Sequence, residues 1–128
     1  MDLSKLVQNE DLFPLDIKIP GTDKLLGLKM MVRSAGSEAA MKVVRRQTDD
    51  GLSRAQRKIL PDAEWVEKTE IEQAASYVAS WQWSDGADWK GTTPDCTPEI
   101  VAEVFREAPW IYAQVVGAAR DIANFTKA

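Results

Sequence analysis

The chain has 128 residues, enough for one domain with a real core, and 45% of them are apolar, the ordinary share for a globular fold. The 16 basic and 20 acidic residues leave a formal charge of −4, which argues against non-specific nucleic-acid binding, whose affinity comes from Lys and Arg on phosphates. With no histidine and one cysteine, Cys96, the chain has no Ser-His or Cys-His catalytic pair, no histidine metal site, no zinc site of the usual kinds and no internal disulfide.

Residues 1–13 are mixed in character and read as irregular or a short helical turn. The first residues show no basic segment followed by an apolar run, so no signal peptide is expected. From Pro14 the pattern sharpens. Leu15, Ile17 and Ile19 alternate with Asp16 and Lys18, Pro20-Gly21-Thr22-Asp23 is a turn signal, and Leu26, Leu28, Met30 and Val32 share one face. This predicts a β-hairpin over 15–33. A lone hairpin is marginal in water. It is expected to pack on helices or to pair its edge with another chain, which makes Leu15, Ile17 and Ile19 candidate partner contacts.

Residues 37–83 read as helices. Ser37 is an N-cap with Glu38 in the first turn, and Ala40, Val43, Val44 and Gln47 follow on one side. Thr48-Asp49-Asp50-Gly51 reads as a helix end or loop, with a restart at Ser53. The basic residues Lys42, Arg45, Arg46, Arg54, Arg57 and Lys58 read as a solvated helix face. Pro61-Asp62 opens the next segment, and Ile71, Ala74, Ala75, Val78 and Trp81 form an apolar stripe at helical spacing, predicting a helix that ends near Trp83.

Residues 84–96 form a loop by composition, with two glycines, one proline and three aspartates. Residues 97–126 read as helices broken at Pro109. Thr97-Pro98-Glu99 is a helix start, and Ile100, Val101, Val104 and Phe105 form its buried side. Pro109 opposes continuation, so a last helix lined by Ile111, Val115, Ala118, Ala119 and Ile122 is expected through about Phe125. The expected fold is thus mainly α (α+β): one domain of four to five helices with a small N-terminal hairpin.

Residues with chemistry are few. The seven glycines never reach the spacing of a phosphate-binding loop. Glu64, Glu67, Glu70 and Glu72 read as a solvated face, and Asp85, Asp88 and Asp95 as turn residues; Asp85-Gly86-Ala87-Asp88 lacks the calcium-loop pattern. Cys96 precedes a helix start, where a thiol can be activated, but without a histidine base a structural role is expected. No catalytic residue, metal or cofactor is assigned. The five tryptophans stand out. Trp81 and Trp110 lie on apolar faces and read as core. Trp83 and Trp89 flank the polar loop, either pinning it or offering anchors to a partner, and both are candidate contacts.

Trp83-Ser84-Asp85-Gly86-Ala87-Asp88-Trp89, Cys96-Thr97-Pro98-Glu99-Ile100, Ala108-Pro109-Trp110-Ile111 and Ala123-Asn124-Phe125 resemble the tail assembly chaperones of long-tailed phages and their prophage copies. The resemblance implies a mainly helical protein that self-associates into rings or spirals. It implies binding to the tape measure protein, which such chaperones keep soluble until major tail protein polymerises around it. It also implies a place in the host cell cytoplasm and absence from the mature virion. It carries over no catalytic residue. An alternative is a structural tail or head-tail joining protein retained in the particle, and a more remote one is a small enzyme using the carboxylates of 64–72 or 85–95. No apolar run reaches the roughly 20 residues of a bilayer span, so no membrane partner is expected, and no nucleic acid.

Overall fold

The computed structural model describes residues 11–126; the reading of residues 1–10 lies outside them. The fold is α+β and mainly helical. Strands β1 (Phe13–Lys18) and β2 (Leu25–Val32) form the expected hairpin. Helices α1 (Glu38–Gln56) and α2 (Ala63–Ala75) follow, then strand β3 (Val78–Trp83), then helices α3 (Pro98–Glu107) and α4 (Pro109–Arg120) and a 3-10 turn at Ile122–Asn124. The antiparallel sheet has the order β1-β2-β3, so β2 is central.

The sheet is one-sided. Met30 pairs with Leu15 on one flank and Trp81 on the other, and Leu28 faces Trp83. Directly opposed residues share a face, so these side chains lie together under the helices. Leu28, Met30 and Val32 are buried there with Ile17, Val101, Val104 and Phe105 of α3, and Ile111 and Val115 of α4. Each aliphatic side chain so enclosed contributes about 1.5–3 kcal/mol. On the other face Asp16, Lys29, Ser80 and Gln82 are exposed.

Helix starts follow their caps. The Ala40 N–H donates to Ser37 Oγ at 3.3 Å, Trp65 N–H to Asp62 Oδ1 at 2.8 Å, and Ile100 N–H to Thr97 Oγ1 at 3.3 Å. Pro109 begins α4 as expected.

Three expectations are corrected. First, α1 does not end at 48–51 but runs through them. Packing overrides propensity here. Trp65 of α2 lies against Gly51, and the Arg54 guanidinium sits 5.2 Å over its ring, which ties the second half of α1 to α2. Helix α1 then closes with Lys58 N–H donating to Ala55 O (3.0 Å) and Ile59 N–H to Arg54 O (2.9 Å), the paired bonds of a Schellman motif. Lys58 occupies its left-handed position, at φ 60°.

Second, the stripe through Trp81 is not one helix. Helix α2 stops at Ala75, and Val78–Trp83 forms β3. Ile71, Ala74, Ala75 and Val78 fit a helical period, but Ala79, Trp81 and Trp83 also alternate with exposed Ser80 and Gln82. The vacant side of β2 decides for the strand. The switch is held by Arg33, whose Nη1 donates to Ser76 O (3.0 Å) and Val78 O (3.4 Å), while its own N–H donates to Tyr77 O (2.6 Å). A cation over the last carbonyls of a helix is also favoured by the helix dipole.

Third, α4 ends at Arg120 and not near Phe125. Ile122 is 65% exposed and does not line it. Asp121 caps the 3-10 turn, accepting from Ala123 N–H, and the turn returns Phe125 to the core, edge-on to Phe13 at 6.3 Å.

Two glycines separate steric from conformational need. Gly27 (φ 98°) lies so near Ser84 that a Cβ would overlap the Ser84 carbonyl oxygen, while Gly21 (φ 74°) has open space. In urea titrations Gly21→Ala is expected to cost about 1 kcal/mol and Gly27→Ala a further 1–3 kcal/mol or so for the overlap. Relieving the left-handed lysine by Lys58→Gly is expected to raise stability by about 0.5–1 kcal/mol.

Candidate protein-interaction surfaces

The loop after β3 is built from two tight turns. Ala87 N–H donates to Ser84 O across Asp85 (φ 54°) and Gly86 (φ 78°); Trp89 and Thr92 exchange both backbone bonds across Lys90 (φ 53°) and Gly91 (φ 84°). Two successive positive φ values are what type I′ turns require. The tryptophans hold these turns down. Trp89 Nε1 donates to Glu103 Oε2 of α3 at 3.0 Å, and Trp81 Nε1 to Pro94 O at 2.8 Å. Trp83 stacks edge-on with Trp81 at 5.3 Å, and its own indole N–H is buried without a partner. Lys90 lies 5.6 Å from the Trp89 ring centroid and bridges Glu107 (2.9 Å) and Glu103 (3.8 Å). Its hydrogen bond to Glu107 holds the ammonium above its ordinary pKa. Trp83 and Trp89 are therefore half-buried brackets of the loop, with only part of each ring on the surface.

The hairpin candidates separate. Ile17 is fully enclosed in the core and presents nothing to a partner, which corrects its reading as a contact: its alternation marked burial under α4. Leu15 is half-buried and Ile19 exposed. Both line an open groove of about 640 Å³ between the hairpin and α4, with Phe13, Pro20, Trp110 and Gly117. Gln114 of α4 crosses it. Its Oε1 accepts from Lys18 N–H (2.9 Å) and its Nε2 donates to Lys18 O (3.0 Å), as a neighbouring strand would.

A further surface was missed at the sequence level. The connection between α1 and α2 carries Leu60 (83% exposed) and Ile59 (38%), and the flanking helices expose Leu52 of α1 (60%) and Val66 of α2 (40%). Ile59 and Leu60 line a pocket of about 360 Å³ together with Gly51, Ala55, Pro61, Trp65, Arg54 and Lys58. Apolar residues grouped on an exposed tip mark an interaction site more strongly than scattered ones. The signal lay in Ile59-Leu60-Pro61 directly after the basic cluster, two large apolar residues where a turn would ordinarily be polar.

The carboxylates stay dispersed. Glu72 pairs with Arg46 and accepts from Gln47, and Asp88 accepts from Gly91 N–H at 3.1 Å. Among the described residues no group of three or more His, Cys, Asp or Glu is placed to hold a metal. Cys96 sits half-buried beside Trp81 and Trp83. Burial pushes its thiol up from the ordinary value, and Arg33 opposes this only in part. A raised thiol pKa keeps the unreactive protonated form at neutral pH. Alkylation by iodoacetamide near pH 8 is therefore expected to be slower in the native chain than in denaturant, read by mass spectrometry over time.

No family model, curated protein or solved structure matches this chain.

Proposed function

We propose that this chain is a phage tail assembly chaperone. In this reading it binds the tape measure protein in the host cytoplasm, keeps it soluble until major tail protein polymerises around it, and is left out of the virion. The observation that carries the reading is the apolar tip between α1 and α2, where exposed Ile59 and Leu60 line a pocket with Arg54 and Lys58, and Leu52 and Val66 are exposed on the flanking helices. A long helical client has apolar stripes that need covering, and a helix laid across such a tip follows the helix-in-groove mode. Many weak contacts of this kind along one client add up by avidity. The resemblance of the motifs from Trp83 through Phe125 to those of such chaperones supports the same reading.

Co-expression with the tape measure protein of the same genome tests it. The intact chain is expected to move the client into the soluble fraction and to co-purify with it. Leu60→Asp and Leu52→Asp, at exposed positions, are expected to keep the native circular dichroism and weaken capture by about tenfold. A client that stays insoluble and unbound beside the intact chain sinks the reading, as does mass spectrometry finding the chain in mature virions at ring-like copy number.

A further inference from the structure

The basic residues of α1 and its end divide by what meets them. Arg45 pairs with Glu38, and Arg46 with Glu72. Among the described residues, Arg54, Arg57 and Lys58 form no ion pair. The eight residues from Arg54 through Pro61 hold these three cations and no carboxylate, in a chain of net charge −4. Arg54 and Lys58 line the tip pocket with Ile59, Leu60 and Trp65, and no acidic residue lines it. The nearest acids in sequence have other places: Asp62 Oδ1 accepts from Trp65 N–H at the start of α2, and Asp50 lines the adjoining cleft with Arg46. The other grooves mix their signs. Lys68 and Arg106 lie with Glu72 and Glu99 between α2 and α3, and Lys18 lies with Asp16 and Asp121 beside the hairpin.

The backbone holds one of the cations at a cost. Lys58 stands in the left-handed position that closes α1, at φ 60°, where glycine is the ordinary residue and a side chain adds strain. That strained residue puts an exposed ammonium on the pocket wall. Arg54 is placed by Trp65, with its guanidinium 5.2 Å from the ring centroid.

We infer that the tip takes an acidic amphipathic helical segment of a partner protein, one bulky apolar side chain flanked by Asp or Glu. The inference rests on the chaperone reading in taking the tip as the client contact, and it names the chemistry of the client there. The apolar side chain enters beside Trp65, and the carboxylates meet Arg54, Lys58 and Arg57. Acids three or four residues from the anchor share its face of a helix. The pocket, about 360 Å³, is at the small end of the roughly 300–1,000 Å³ of ligand sites, which suits an inserted anchor and not a buried helix. An anionic bilayer would also attract three cations, but it has no side chain to fill a recess.

The test uses the full chain and two fluorescein-labelled peptides of about 18 residues, long enough to form a helix. Both carry one Leu and Phe stripe, flanked by Glu in one and by Lys in the other. By fluorescence anisotropy the Glu-flanked peptide is expected to bind about tenfold tighter, and less tightly as salt rises. Lys58→Gly removes the ammonium and relieves the backbone. It is expected to melt at a higher temperature yet bind the Glu-flanked peptide about two- to five-fold more weakly. Arg57→Glu with Lys58→Glu is expected to reverse the preference, with circular dichroism checking the fold. Equal binding of the two peptides, no binding of either, or a preference untouched by the reversal overturns the inference. So does capture of the chain by phosphatidylglycerol vesicles that the Glu-flanked peptide fails to displace. Co-expression separates this inference from the reading beneath it. A client solubilised by the intact chain, with the two peptides bound equally, removes the acidic partner alone. A charge-selective tip on a chain that leaves the client insoluble removes the chaperone reading alone.

Discussion

The burial of one sheet face is the constraint on which the rest of the molecule depends. Leu28, Met30 and Val32 of the central strand are enclosed between flanking strands and beneath α3 and α4. A slip of one residue in β2 would send all three into water and bring Lys29 and Met31 inward. The flanking elements are arranged to prevent it. Gly27 permits the close approach of Ser84 at one end of β2, and Arg33 binds the α2–β3 switch at the other.

Away from this core the molecule is looser. Helix α1 buries a single residue completely, Ala40, and its second half is fastened to α2 chiefly through Trp65, with Gly51 beneath it and Arg54 above. Regions with few buried apolar contacts sit at the low end of local stability. The exposed tip thus belongs to an arm that adjusts at little expense to the core. The loop after β3 is the opposite case. It has little regular structure, yet two tight turns, two indole hydrogen bonds and the Lys90 bridge give it a defined shape.

Sequence patterning located the hairpin, the Ser37 and Thr97 caps and the Pro109 break, because each rests on local chemistry: alternation, a side-chain acceptor, a missing N–H. It failed where a distant partner decided the outcome. The stripe from Ile71 to Trp81 satisfies two periods, and only the vacant side of β2 selects the strand for its latter part. The Thr48–Gly51 segment looks like a terminus until Trp65 is set against it. Among the candidate contacts, Ile17 and Ile19 carry the same local signal, yet Ile17 is fully buried and Ile19 is 37% exposed, because β1 ends at Lys18 between them. The α1–α2 tip was legible in composition but went unread, since its apolar residues follow a basic cluster that reads as solvated.

The bond between Gln114 and Lys18 joins residues 96 positions apart. During synthesis the hairpin emerges early, complete in its own ladder, and its first strand keeps an open donor and acceptor at Lys18 until α4 has been made and docked. Phe125, packed on Phe13, closes the same seam. The chain therefore seals itself from its far end. A shortened form without α4 would leave the Lys18 peptide groups of β1 open, so the last helix acts as the latch that closes this edge.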